Sequence, residues 1–161
     1  MRILGIDPGT GIMGFGVIDA EGSKLVLVDA GVIRTRVHQA LDERLVEIYK
    51  HLQDVIKQSK PAVMVVEKLF FAQNVTTAIS VSHARGVAML AGKQAGLEVV
   101  EYTPLQIKMA LTGYGRAEKK QMQEMVRIQL GLKEIPKPDD CADALAAAIC
   151  HTGFAAHLTS E

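Results

Sequence analysis

The sequence predicts an α/β fold, a mixed five-stranded sheet with helices on both faces, built by residues 1–161 as a single domain. Three observations carry that expectation. The chain opens with short apolar segments separated by turn signals. Its hydrophobic period then alternates between helix and strand spacing. Hydrophobic residues make up 48% of the chain, but aromatics are only 4% and Trp is absent, so the core must be aliphatic.

Arg2 to Asp7 reads as a strand that ends at the turn Asp7-Pro8-Gly9, and Gly14 to Ile18 reads as a second strand. Glu21-Gly22 supplies a turn and Leu25 to Thr35 a third strand, which together make an antiparallel meander. The period then changes. Leu41, Leu45, Ile48, Leu52, Val55 and Ile56 mark the apolar face of a helix that Pro61 closes. Ala62 to Val66 is a continuous apolar run ending at Glu67, suited to a strand buried on both faces. Asn74 to Gln94 is a long helix, Leu97 to Tyr102 a fifth strand, and Pro104 starts a short helix. Gly113-Tyr114-Gly115 reads as a flexible loop and Lys119 to Leu130 as a helix with Met122 and Met125 in the core. Beyond Pro136 and Pro138, an Ala-rich helix opens at Asp139 or Asp140. The order β-β-β-α-β-α-β-α-α-α, a meander followed by βαβ units, is that of an RNase H-like fold.

A formal net charge of +0 argues against a uniformly basic surface for nucleic acid, yet the charges are unevenly spread. Lys108, Arg116, Lys119, Lys120 and Arg127 face only Glu118 and Glu124 in their stretch, whereas Asp139, Asp140 and Asp143 stand together without a base. Cys141 and Cys150 fall on opposite faces of one helix, so they neither bridge nor share a metal, and free thiols fit a reducing cytoplasm. The first residues meet a charge too soon for a signal peptide, and no apolar run reaches membrane-spanning length. No His pair has defensible ligand spacing.

Asp7 and Glu67 each end an apolar strand, and open α/β sheets bind ligands outside those ends. If the strands are parallel neighbours, both carboxylates enter one crevice. Asp140 and Asp143 are three apart near a helix start and share a face. Taken singly, each has an ordinary role: Asp7 as a turn residue, Glu67 as a solvated strand end, Asp140 and Asp143 as helix-start acids. Taken together they form a group whose repulsion a hard divalent cation would relieve. Two such ions could activate water and stabilise the leaving oxygen of a phosphodiester.

Several segments, in this order and spacing, resemble the RuvC family of bacterial Holliday-junction resolvases, nucleases of the retroviral-integrase/RNase H type. They are Gly5-Ile6-Asp7-Pro8-Gly9 with Gly14-Phe15-Gly16-Val17, and Val66-Glu67-Lys68-Leu69-Phe70-Phe71-Ala72-Gln73-Asn74 leading into Ala84-Arg85-Gly86-Val87-Ala88. Ala117-Glu118-Lys119 and Asp140-Cys141-Ala142-Asp143-Ala144-Leu145-Ala146 complete the match, which runs from Arg2 to about His151. The resemblance implies a structure-selective endodeoxyribonuclease of DNA recombination and repair. Such an enzyme resolves four-way junctions by paired symmetric nicks on opposing strands. It implies a homodimer that uses Mg²⁺ or Mn²⁺, two ions per subunit in the active complex, and that works with the branch-migration proteins RuvA and RuvB. Asp7, Glu67, Asp140 and Asp143 match the family's acidic catalytic and metal-holding positions, although some relatives carry His in place of Asp140. Asp139 is a departure, a carboxylate where relatives often have a neutral residue.

The resemblance also selects Phe70, rather than Phe71, as the aromatic that stacks on an unpaired base, and Lys108 and Lys119 as phosphate contacts, with Arg116 and Lys120 as lesser candidates. Their ordinary readings are a core phenylalanine and solvated helix faces. The Asn74–Gln94 helix carries more apolar surface than one core-facing stripe needs, which suits a two-fold partner helix. Competing readings are an actin-like ATPase or sugar kinase, a non-catalytic junction-binding protein, and a related nuclease acting on RNA–DNA hybrids or single strands. The first needs a second, related domain, and 161 residues without an internal repeat do not supply one.

Overall fold

The computed structural model describes residues 1–68 and 74–158. Strands β1 (Arg2–Asp7), β2 (Ile12–Glu21) and β3 (Lys24–Arg34) form the meander. They are followed by α1 (Leu41–Ser59), β4 (Val63–Glu67), α2 (Val75–Gln94), β5 (Glu98–Tyr102), α3 (Pro104–Thr112), α4 (Lys119–Gln129) and α5 (Asp139–Leu158). The five strands lie in the order β3-β2-β1-β4-β5. β1 pairs antiparallel with β2 and parallel with β4, and β4 pairs parallel with β5. This is the mixed RNase H-like sheet that the sequence predicts.

Strand alternation divides the core into two layers. Ile3, Ile18, Val63 and Val65 pack with Ile107, Leu111, Met122, Val126 and Leu145 from α3, α4 and α5. Leu4, Ile6, Met13, Val17, Met64 and Val66 pack on the other face with Ile48 and Leu52 of α1 and Ala84 and Ala88 of α2. β1 and β4 are therefore covered on both faces, which is why their sequences are continuous apolar runs rather than alternating ones. Each fully buried Leu, Ile or Met contributes ~1.5–3 kcal/mol relative to exposure.

Several boundaries move for identifiable reasons. β2 extends well beyond Gly14–Ile18 because ladders with β1 and β3 support both of its edges. α1 closes at Lys60, whose left-handed backbone (φ 50°) returns its N–H to the Ile56 carbonyl just before Pro61. Asn74 caps α2 rather than joining it, its side-chain oxygen accepting from the Thr76 and Thr77 N–H groups. The expected flexible loop at Gly113-Tyr114-Gly115 is a hydrogen-bonded cap. Gly113 (φ 70°) donates to the Met109 carbonyl, and the Thr112 hydroxyl donates to the Lys108 and Tyr114 carbonyls while accepting from the Tyr114 N–H.

α5 is the central helix. Cys141, Ala142 and the run Ala144 to Cys150 are buried, so both free thiols sit in the core. Its alanines let it lie flat on the sheet, and glycines receive it from below. A Cβ on Gly5 would stand 1.9 Å from the Ala144 carbonyl oxygen, and one on Gly14 2.0 Å from the Asp140 carbonyl oxygen. Gly5 pairs with Gly16 across β1 and β2, and Gly14 pairs with Asp7, so these glycines share the α5 face with Asp7. Among the described residues, no helix is long and apolar enough to cross a membrane.

Candidate active site

The same alternation that buries Ile3 and Val65 aims Asp7 and Glu67 toward α5. β1 and β4 are parallel neighbours whose last register pair is Ile6 with Val66, so Asp7 and Glu67 leave the sheet side by side, with backbones roughly 4.8 Å apart. Asp140 sits over Gly14, the ladder partner of Asp7. Asp143 follows three residues on along α5 and lines a cavity of about 220 Å³ with Glu67, Pro104, Ile107, Lys108, Lys119, Met122 and Ala146. A larger hollow of about 510 Å³ between α1 and α2 has no carboxylate in its lining, which includes Gln53, Lys57 and Leu97.

The carboxylates feel one another. Burial first, and then the charges of Asp143, Glu67 and Asp140, push the Asp7 carboxyl up to about 8, with Lys119 opposing. Burial and Asp143 raise Glu67, while Lys108 pulls it back down. Burial raises Asp143 despite the nearby Lys119. A carboxyl raised in the folded state stabilises the protein fully below its unfolded pKa, near ~4, and that contribution is lost as pH rises through the folded value. For Asp7 the loss therefore spans roughly pH 4 to 8.

Lys119 is the cation already inside this group. Its Nζ lies 3.2 Å from Asp139 Oδ2 and 3.5 Å from Asp143 Oδ2, and Gln123 Nε2 donates to the other Asp139 oxygen at 3.1 Å. Among the described residues, no three His, Cys, Asp or Glu side chains are gathered closely enough to grip one ion as they stand. Asp143 is drawn toward Lys119, and carboxylates without a counter-ion hold apart. The donor set nevertheless fits a hard divalent cation. It is all oxygen and partly buried, and burial first, then neighbouring negative charge, raises Asp7, Glu67 and Asp143.

The structure brings Asp7, Glu67, Asp140 and Asp143 together at one end of the sheet, with Lys108 and Lys119 on the cleft wall. Arg116 is exposed, and Lys120 lines a separate hollow with Thr112, Gln121, Glu124, Met125 and Ile135. Phe70 and Phe71 lie outside the described residues. One functional candidate escaped sequence reasoning. Arg85 of α2 donates from Nε to the Glu67 carbonyl at 3.1 Å and pairs with Glu101 of β5. Its signal was available, because no other Asp, Glu, Lys or Arg occurs between Val75 and Gly92.

Comparison with known proteins agrees with this geometry. The family model for crossover junction endodeoxyribonuclease RuvC matches residues 3–151. A crossover junction endodeoxyribonuclease RuvC from Desulfitobacterium hafniense is 58% identical over 151 residues, covering 94% of this chain and 92% of the relative. One from Brevibacillus brevis is 55% identical over 159 residues, covering 99% and 96%. Among solved structures, Thermus thermophilus RuvC in complex with a Holliday junction substrate superimposes with a TM-score of 0.93 at 37% identity, covering 99% of this chain and 97% of that one.

Proposed function

The chain belongs to the crossover junction endodeoxyribonuclease RuvC family, and from that membership we propose that the acidic cleft at the ends of β1 and β4 is its nuclease centre. The protein is an endodeoxyribonuclease that resolves Holliday junctions in DNA recombination and repair, and its activity depends on a divalent metal. The observation that carries the site reading is Asp7 and Glu67 on adjacent parallel strands under the acidic start of α5.

Asp7, Glu67, Asp140 and Asp143 would hold two ions, Mg²⁺ or Mn²⁺. Bound there, such ions supply an activated water and neutralise charge on the leaving oxygen of a phosphodiester. The chain's own residues prepare that chemistry. Burial of Asp7 and Glu67 keeps their oxygens poorly hydrated and ready to ligate. Lys119 is held by Asp139 as well as Asp143, so with Asp143 serving as a metal ligand Asp139 would still keep the ammonium at the cleft rim for the scissile phosphate. Lys108, beside Glu67, offers the same charge from the α3 wall. Arg116 and Lys120 extend the basic surface outside the cleft, and Phe70 serves as the stacking aromatic. Incubating the protein with four-way junction, linear duplex, RNA–DNA hybrid and single strands in Mg²⁺ tests the assignment. Paired nicks confined to opposing junction strands support it, and equal cutting of duplex or hybrid overturns it.

Phosphate affinity comes from these local bases rather than from net charge. Replacing Lys108 and Lys119 together with Ala should reduce the slope of log affinity for the junction against log salt by up to ~2. An unchanged slope would show that neither lysine meets phosphate in the bound state.

Two nicks in a near-symmetric junction call for two sites related by a two-fold axis. α2 turns Ala78, Ala84, Ala88 and Ala91 inward and leaves Val75, Ile79, Ser82, Gly86 and Leu90 exposed in one helical row. Small residues at the centre of that row allow close helix approach, and this row is our homodimer face. The protein should sediment at twice the 17.4 kDa of one chain, and a clean monomer at micromolar concentration would contradict this. RuvA and RuvB are its expected partners, and the two buried free thiols fit a reducing cytoplasm.

A further inference from the structure

We propose that Arg85 is a positioning residue of the nuclease centre, holding the strand end that presents Glu67. The inference rests on the acidic-centre reading above. Glu67 stands one residue beyond the last β1–β4 register pair, so on its β1 side no ladder contact fixes it. On the other side it pairs with Tyr102 of β5, and the Lys68 N–H bonds to the Tyr102 carbonyl at 2.7 Å. Its own carbonyl is taken by Arg85 Nε at 3.1 Å. The outer arm of the same guanidinium pairs with Glu101, which is the β5 register partner of Val66. One planar, two-pronged group thus spans the ends of β4 and β5 from α2, a geometry that Lys cannot reproduce.

The Arg85 side chain is mostly covered, at 16% exposure, with its contact to the Glu67 carbonyl part-buried and its pairing with Glu101 at the surface. Asp7 opposes Gly14 across β1 and β2, and α5 seats on that pair, whereas Glu67 has Arg85 in the corresponding supporting role. Gly86, the next residue, belongs to the outward row of α2, so the anchor lies on the same turn as the proposed dimer face.

The test compares the full-length protein with Arg85→Gln and Arg85→Lys, each in wild-type and Glu67→Gln backgrounds. Mn²⁺ binding is titrated directly, beside single-turnover nicking and junction binding without divalent ion. Arg85→Gln should weaken Mn²⁺ binding and raise the Mg²⁺ needed for half-maximal nicking by ~10-fold, as loss of a supporting contact to a metal ligand does. Metal-free junction binding should be unchanged, and Arg85→Lys should recover only part of the loss. In the Glu67→Gln background, Arg85→Gln should cost no further Mn²⁺ affinity, because both changes act through one ligand. Equal losses in both backgrounds, or unchanged Mn²⁺ affinity in folded Arg85→Gln, would overturn the proposal. If Arg85→Gln does not fold, Glu101→Gln releases the outer arm alone. It should weaken Mn²⁺ binding in the same direction, and wild-type affinity would again overturn the role. Wild-type Mn²⁺ affinity and nicking in Glu67→Gln alone would instead sink the acidic centre itself.

Discussion

Asp7→Asn is expected to lower single-turnover junction nicking by at least ~10³-fold while junction binding persists or tightens. The substitution keeps the size of the side chain and removes one negative charge from the most strongly perturbed carboxyl of the cleft. Metal retention suffers, whereas a phosphate approaching the cleft meets less repulsion. The same change should raise the melting temperature of the metal-free protein above about pH 8, because the wild-type carboxyl is ionised there against burial and the charges of Asp143, Glu67 and Asp140. Below pH ~4 the gain should vanish, since the wild-type group is then neutral in the folded and unfolded states alike. A residue serving only the Asp7-Pro8-Gly9 turn would behave oppositely, melting lower and keeping the specific activity of its folded fraction. Activity lost while metal-free stability rises identifies a group whose energetic cost is tied to function.

The second large effect is expected far from any charge. Gly5→Ala should cost at least ~1–3 kcal/mol in chemical denaturation and reduce nicking strongly even in the folded fraction. The new methyl would meet the Ala144 carbonyl oxygen at 1.9 Å and the Ala148 nitrogen at 2.9 Å. These are backbone atoms in the middle of the buried α5, and they cannot swing aside as a side chain would. Relief requires α5 to lift from the sheet, which carries Asp140 and Asp143 away from Asp7 and Glu67. Gly11→Ala is the control, because a Cβ there meets nothing within 4 Å. Equal stability and activity of the two variants would show that α5 is not seated by glycine contact.

The contrast between these variants marks where the sequence is legible. Asp7 and Glu67 could be found because each terminates a recognisable apolar run, and strands buried on both faces follow from βαβ order. Asp140 and Asp143 follow from helical spacing. Gly5, Gly14 and Gly16 were opaque. In sequence they only weaken a strand, and their purpose appears once α5 is laid across them. The Gly113-Tyr114-Gly115 segment looked loose from composition, yet Thr112 binds it on both sides. Among the basic residues, spacing alone could not separate Lys108 and Lys119, which reach the cleft, from Lys120, which faces another hollow. The role of Arg85 is hidden in sequence because its partners, Glu67 and Glu101, lie on strands 18 and 16 residues away.

The central claim is that Asp7, Glu67, Asp140 and Asp143 form a metal-holding nuclease centre. The most direct measurement is anomalous scattering from Mn²⁺ in crystals of the wild-type protein. The expected result is Mn²⁺ density bounded by these carboxylates, with Lys119 released from Asp143 and retained by Asp139. Mn²⁺ bound only elsewhere at saturating concentration, with Lys119 still on Asp143, in a preparation that nicks junctions would contradict it.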